Sequence, residues 1–87
     1  MQRIEYSPRF TKQYRRLPKN VQYASEKKED IFRENPFDHR LKTHKLHGSW
    51  EGYWAFSIDY RYRIIFSFLD FPNTVRFHLV GRHDIYD

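Results

Sequence analysis

The alternation of apolar and polar residues at the start of the chain predicts a short strand followed by a helix. Arg3–Tyr6 alternates with a period of two, as a half-buried strand does. Ser7 and Pro8 then mark a helix start, because serine caps helix N-termini and proline suits the first helical position. Apolar residues at helical spacing follow, namely Phe10, Tyr14 and Leu17. Pro18 ends this first helix.

The next segment predicts a second helix and then a loop. From about Lys19 to Glu34 the chain carries a helical apolar stripe made of Val21, Ala24, Ile31 and Phe32. Asn35-Pro36 terminates that helix, because the residue before a proline is pushed out of the helical region. The loop predicted from Phe37 to Gly52 is rich in His and Lys.

After Gly52 the period changes to two, which predicts three strands joined by short turns. The first strand alternates through Trp54, Phe56 and Ile58, and residues 59–61 turn the chain. The next strand, residues 62–69, is apolar on both faces and is expected at the centre of the sheet. Residues 70–73 make another turn. The last strand, residues 75–80, is expected to face the core with Val75, Phe77 and Leu79.

This β-α-α-β-β-β order predicts an α+β fold, with two helices packed on one face of a four-stranded, mainly antiparallel sheet. The other face would then stay open as a concave working surface. If the helices cover the face of Trp54, Phe56 and Ile58, alternation leaves Tyr53, Ser57 and Arg63 on the open face.

Length and composition narrow the class of protein. A chain of 87 residues predicts one domain, spanning residues 1–87. The absence of cysteine excludes a disulfide framework and a thiolate metal site. The longest strongly apolar run, residues 64–69, is too short to cross a bilayer, and the N-terminus has no apolar signal core. We therefore expect a cytoplasmic protein with no membrane association.

The charge is positive and unevenly distributed. Sixteen Lys and Arg against eleven Asp and Glu give a formal net charge of +5. The excess is concentrated in the first seventeen residues and in residues 39–50. Clustered positive charge with interleaved aromatics favours a polyanionic partner such as RNA, DNA or an acidic protein. An ordinary solvated basic surface is the alternative.

Arg63 is the strongest single candidate for a functional residue. It lies within a predicted strand next to Ile64 and Ile65, where a lone cation is disfavoured unless it faces solvent or a partner. The guanidinium group is a rigid fork of donors that matches phosphate oxygens. The alternative is a structural arginine paired with Asp59 or Glu51.

Two candidates lie at the C-terminal end. His83 follows Gly81, and glycine permits a bend that frees the imidazole from strict alternation. Imidazole can donate or accept a proton near neutral pH. Tyr86 could stack on a base or assist proton transfer. The alternatives are a surface histidine in a frayed tail and an aromatic anchor.

The predicted loop contains His44 and His47 together with Lys42 and Lys45. The functional interpretation is a base with accompanying cations over the edge of the sheet, and the alternative is a solvated basic loop. The H-x-x-H spacing lacks a helix, a nearby Glu and any cysteine, so we predict no metal site there. The chain has no glycine-rich phosphate loop, and we expect no cofactor.

These motifs together resemble the RelE/ParE superfamily of toxin–antitoxin toxins, and most of all its RelE, YoeB and YafQ branch of messenger-RNA interferases. The resemblance covers essentially the whole chain. It is carried by His44-Lys45-Leu46-His47-Gly48, Gly52-Tyr53-Trp54, Arg63-Ile64-Ile65-Phe66 and Gly81-Arg82-His83-Asp84. It implies a RelE-like microbial ribonuclease fold, ribosome-dependent cleavage of mRNA, and neutralisation by a cognate antitoxin in a hetero-oligomer.

The resemblance also implies roles for individual residues. His44 matches a loop histidine of the YafQ-like pattern, Arg63 a strand arginine of YoeB-like members, and His83 a C-terminal histidine. With Tyr86 these are the expected catalytic residues. The expected RNA-binding residues are Lys42, Lys45, Trp50, Tyr53, Arg61 and Arg82. The chain departs from the YafQ-like pattern at Ser57, which replaces a histidine, and at Arg61, which replaces an aspartate.

Two other functions fit the same superfamily. A ParE-like toxin would inhibit DNA gyrase without cutting RNA, but it would have no chemical need for His44, Arg63 and His83 together. An inactive module would only bind its antitoxin or regulate an operon.

Overall fold

The computed structural model describes residues 1–83, so the prediction for Tyr86 falls outside the described part of the chain. The helices are α1 (Pro8–Arg15) and α2 (Lys19–Glu34), and the strands are β1 (Arg3–Tyr6), β2 (His44–Lys45), β3 (Trp54–Ser57), β4 (Tyr62–Phe68) and β5 (Thr74–Arg82). Short 3₁₀ helices span His39–Leu41 and Gly48–Trp50. No helix within residues 1–83 has the length and apolar character needed to cross a membrane.

The predicted helix signals act as expected. The hydroxyl of Ser7 accepts a hydrogen bond from the backbone N–H of Phe10 at 2.9 Å, and Pro8 occupies the first turn. Helix α2 ends before Pro36, as the sequence predicted. Val21 and Phe32 of its apolar stripe are buried, and Ala24 and Ile31 pack against the same core.

The sheet has five strands rather than four, in the order β1-β5-β4-β3-β2. Strand β1 runs parallel to β5, and the other pairs are antiparallel. The α+β arrangement is confirmed, with one strand added. The additional strand, β2, consists of His44 and Lys45 alone, inside the segment predicted as a loop. Two polar residues show no alternation, so their pairing with Trp54 and Ala55 of β3 left no pattern in the sequence.

The main core lies between the helices and one face of the sheet. Phe32 of α2 is its centre, with ring centroids 5.0 Å from Phe56, 4.9 Å from Phe66 and 5.3 Å from Phe77. Ile58 and Ile64 are buried in the same cluster. The predicted core-facing sides of β3 and β4 are therefore confirmed.

The other face is less open than expected, because a second, smaller apolar cluster lies on it. Ala55, Ile65 and Leu79 form its floor, and Leu46 from the segment before β3 packs on them. Along each strand these residues adjoin residues of the main core, and successive side chains of a strand point to opposite faces. The two clusters therefore lie on opposite sides of the sheet.

One prediction for strand β5, that Leu79 faces the main core, is wrong. Leu79 belongs to the smaller cluster, and Val80 takes its place in the main core. The cause is a bulge: Phe66 pairs with Phe77, but the preceding residue, Ile65, pairs with Leu79. His78 is thus an extra residue, and one extra residue moves the following side chains to the opposite face.

Candidate functional site

Arg63 lies near the start of the central strand, β4, on the sheet face that the helices leave uncovered. It lies in β4 directly opposite Ser57 of β3 and Gly81 of β5. Its side chain is half-buried, and its Nη1 donates to the backbone carbonyl oxygens of Asp59 at 2.9 Å and Tyr62 at 3.3 Å. Within residues 1–83 it forms no ion pair with Asp59 or Glu51. The guanidinium is therefore held by neutral carbonyls, and no carboxylate of residues 1–83 forms an ion pair with it.

The end of β5 brings His83 close to Arg63. The backbone N–H of His83 donates to the carbonyl of Arg61 at 2.7 Å, which extends the β4–β5 pairing by one residue beyond Tyr62 and Arg82. His83 therefore lies one strand across and two residues along from Arg63, roughly 8 Å between Cα atoms for ideal strand spacings.

A shallow depression at this end of the sheet is lined by Tyr60, Arg61, Arg82 and His83. Arg61 lies over the rings of Tyr60 and Tyr62, and Arg82 lies over the ring of Tyr62. The depression thus combines two cations, an imidazole and aromatic rings, which suits a phosphate attached to a base.

His44 lies on the same face but at the opposite edge of the sheet. It pairs with Ala55, so the two side chains share a face, and it is exposed. Its Nδ1 lies 3.0 Å from the backbone carbonyl oxygen of Lys42. A carbonyl only accepts, so this bond requires a proton on Nδ1 and leaves Nε2 as the acceptor. His44 is two strands from Arg63 and three from His83.

The predicted RNA-binding residues are divided between the two faces. Lys45 pairs with Trp54 and lies over its ring at 5.5 Å, on the helix-covered side. Trp50 and Tyr53 pack edge to face against each other, with centroids 5.3 Å apart, beside the smaller apolar cluster. Lys42 is exposed and adopts a left-handed backbone conformation with φ of 55°.

No role was predicted for His78, which the bulge in β5 places on the face of Arg63. Its Nε2 lies 2.7 Å from the hydroxyl oxygen of Ser67, and its ring packs edge to face against Tyr53, with centroids 5.1 Å apart. Burial, together with the positive charge of Arg76, lowers the pKa of His78. One available signal was the adjacent apolar pair Leu79-Val80, which breaks the alternation of β5.

A second polar cluster lies on the helical side, away from Arg63. The hydroxyl of Tyr6 donates to Oε1 of Glu29 at 2.7 Å and accepts from Arg33 at 3.1 Å. Burial raises the pKa of the Glu29 carboxyl, although its bond from Tyr6 opposes the shift. Burial and the bond to Glu29 raise the pKa of Tyr6 to about 12. No sequence pattern marks this cluster, because Glu29 lies in an otherwise ordinary run of charged residues.

Comparison with known proteins relates this geometry to a group of solved toxins. No protein-family model and no curated protein matches the chain. YafQ from E. coli strain BL21(DE3) is 24% identical, with a TM-score of 0.76, covering 95% of this chain and 94% of that one. A YoeB/ParE toxin from Agrobacterium tumefaciens is 16% identical, with a TM-score of 0.78, covering 95% of this chain and 99% of that one.

An archaeal example extends the likeness. The RelE–RelB complex from Pyrococcus horikoshii OT3 is 17% identical, with a TM-score of 0.76 and 97% of each chain covered. All three alignments span nearly the whole molecule, so they relate the complete arrangement of helices and sheet. The chain therefore has the fold of these YafQ, YoeB/ParE and RelE structures, which is the fold that the resemblance of its motifs predicted.

Proposed function

We propose that this chain is the toxin of a type II toxin–antitoxin system and that it inhibits translation by cutting mRNA. Its structural neighbours carry the names YafQ, YoeB and RelE, and the RelE neighbour was solved with RelB bound. The formal charge of +5 favours association with RNA. The expected partners are mRNA on the ribosome and a cognate antitoxin that forms a hetero-oligomer with the toxin, in the cytoplasm.

The single observation that carries this proposal is the setting of Arg63. Its guanidinium is half-buried on a sheet face and oriented by backbone carbonyls, with no carboxylate paired to it in residues 1–83. An arginine held in this way keeps its positive charge for an incoming anion and needs little reorganisation to bind a phosphate. His83 lies beside it, and His44 faces the same side of the sheet.

The proposed reaction is transesterification within the RNA, without a metal ion. Nε2 of His44 would take the proton of the 2′-hydroxyl, and the resulting oxygen would attack the adjacent phosphorus. Arg63 would stabilise the charge that grows on the phosphoryl oxygens, and His83 would protonate the departing 5′ oxygen. The P–O5′ bond breaks, leaving a 2′,3′-cyclic phosphate and a 5′-hydroxyl. General acid–base groups contribute on the order of 10²- to 10⁴-fold in rate.

The strand order adds a condition to this assignment. His44 lies on the edge strand β2 and His83 at the end of β5, three strands away, so a substrate must extend across β3 and β4 if the two histidines act as a pair. Arg63 and His83 are the closer pair. We therefore place Arg63 and His83 at the scissile phosphate. In this arrangement His44 contacts the 2′-hydroxyl from the β2 edge of the sheet, across a longer distance.

The alternative is a ParE-like toxin that inhibits DNA gyrase. The prevalence of YafQ, YoeB and RelE names among the neighbours favours the nuclease. A gyrase inhibitor would also have no chemical use for an unneutralised arginine beside a histidine.

Induction of the chain in bacteria, with primer extension on a reporter transcript, tests the proposal. We expect discrete cuts with the wild type, and none with Arg63→Ala or His83→Ala. Arg9→Ala and His39→Ala are matched controls at exposed positions that have no part in the proposed reaction, and both should cut normally. Intact transcripts together with double-strand DNA breaks would instead support gyrase inhibition.

A further inference from the structure

The bulge in β5 presents an additional polar pair on the face that carries Arg63. Because His78 is the extra residue, His78 and Leu79 both project to this face although they are consecutive in sequence. Bulges commonly redirect a side chain next to a functional site. The redirected side chain here is an imidazole, bonded to the hydroxyl of Ser67 at 2.7 Å.

Residues at the start of α1 and within it hold this bulge from the helix-covered side of the sheet. The hydroxyl of Ser7 donates to the carbonyl oxygen of His78 at 2.9 Å, and the side-chain oxygen of Gln13 accepts from the backbone N–H of Val80 at 2.9 Å. These are backbone groups that β1 cannot pair, because its register with β5 ends at Phe77. Two side-chain hydrogen bonds thus hold the bulge and position His78.

The side chains of Ser67 and His78 can form hydrogen bonds beyond the one that joins them. Within residues 1–83 no group bonds to Nδ1 of His78, and the hydroxyl of Ser67 bonds only to His78. Both side chains are only partly buried, and so is Tyr53, whose ring meets the imidazole edge to face. The lowered pKa of His78 keeps the imidazole neutral near pH 7. A neutral imidazole and a hydroxyl together offer both a donor and an acceptor.

The location relates this pair to the proposed reaction. Ser67 and Arg63 lie on the same strand and the same face, four residues apart, which is about 13 Å for an extended strand. The smaller apolar cluster lies between them, with Trp50 and Tyr53 at its margin. The pair is therefore too distant to act on the phosphate at Arg63, but a nucleotide farther along the same RNA strand would reach it.

We infer that Ser67 and His78, bordered by Tyr53, form a subsite that recognises one unpaired base of the RNA beside the scissile linkage. The edge of a base carries adjacent donors and acceptors that match the pair, and unpaired bases stack on aromatic side chains. This inference rests on the proposed function for the identity of the ligand. It assigns Ser67 and His78 to sequence preference, whereas Arg63 and His83 act on every cut alike.

Two measurements test the subsite. The first is fluorescence anisotropy with four short oligonucleotides, one for each base, whose 2′-O-methyl groups block cleavage. We expect the wild type to prefer one base by about tenfold, the size of a good base contact. Ser67→Ala and His78→Phe should lose this preference and bind all four oligonucleotides with similar residual affinity. His78→Phe retains a ring against Tyr53, and thermal unfolding verifies the fold.

The second measurement is cut-site sequencing in cells, with Ser49→Ala and His39→Phe as matched controls. Ser67→Ala and His78→Phe should alter the base found at one fixed position relative to the cut, while the controls keep the wild-type profile. Equal binding of all four oligonucleotides, no binding, or an unchanged preference in the two variants would overturn the subsite. A base preference that these variants abolish, in a protein that never cuts RNA, would retain the subsite and reject the nuclease.

Discussion

The guanidinium of Arg63 donates to the backbone carbonyl of Asp59 at 2.9 Å, while Oδ1 of the Asp59 side chain accepts from the backbone N–H groups of Arg61 and Tyr62. One aspartate thus closes the β3–β4 turn with its side chain and orients the arginine with its main chain. Because no carboxylate of residues 1–83 pairs with Arg63, its positive charge remains available to an anion. The β3–β4 turn therefore holds the guanidinium of Arg63 in one orientation in which it can bind an anion.

Replacement of Arg63 by lysine tests whether cleavage requires the planar set of guanidinium donors or only a positive charge. Lysine retains the charge but cannot hold the carbonyl of Asp59 and also contact two phosphate oxygens in one plane. We expect Arg63→Lys to reduce the cleavage rate by on the order of 10²-fold, as the loss of a positioned donor does. Its urea midpoint should stay close to that of the wild type. Cleavage at the wild-type rate would show that charge alone is sufficient.

The sequence predicted the elements with strong local signals. Ser7-Pro8 began α1, the stripe containing Val21 and Phe32 faced the core, and alternation placed Arg63 on the face away from the helices. In each case one short-range rule, either a cap or a period, determines the outcome without help from distant residues.

The features that the sequence did not reveal depend on pairing between distant segments. His44 and Lys45 form β2 only because Trp54 and Ala55 are available as partners. The bulge at His78 is set by the register with β4 and by the bond from Ser7, 71 residues away. For the same reason the sequence could not predict the hydrogen bond between Ser67 and His78, which forms only when the bulge is present.

Ser7 should contribute more to stability than a helix cap normally does. Its hydroxyl accepts from the backbone N–H of Phe10 and donates to the carbonyl of His78. Ser7→Ala removes both bonds, and we expect the free energy of unfolding to fall by about 1–3 kcal/mol. Urea unfolding measures this, with the exposed Ser49→Ala as the control. A change as small as the control's would mean that neither bond contributes.

Tyr6 should make stability fall at alkaline pH. Its pKa is raised to about 12 from an ordinary value near 10, because burial and the bond to Glu29 favour the neutral phenol. The stabilisation is therefore complete below pH 10 and is lost as pH rises through 12. Tyr6→Phe should be less stable than the wild type at pH 9, and the difference should shrink toward pH 12. Urea unfolding at these pH values checks this, with the exposed Tyr23→Phe as control; a constant difference would contradict it.

Glu29 should act in the opposite sense to most carboxylates. Burial raises the pKa of its carboxyl group in the folded protein, so the folded state holds the proton more tightly than the unfolded state. Its stabilising contribution is present below the unfolded pKa and is lost as pH rises through the raised folded value. Glu29→Gln keeps an oxygen for the Tyr6 hydroxyl and offers an amide N–H to Ser25, but it has no charge to bury. We therefore expect the variant to gain stability relative to the wild type as pH rises from 4 to 8, measured by urea unfolding. The exposed Glu34→Gln is the control and should show no such trend. If the stability difference were the same at every pH, the pKa of Glu29 would not be raised by folding, and the hydrogen bonds and the ion pair with Arg33 would cancel the effect of burying the charge.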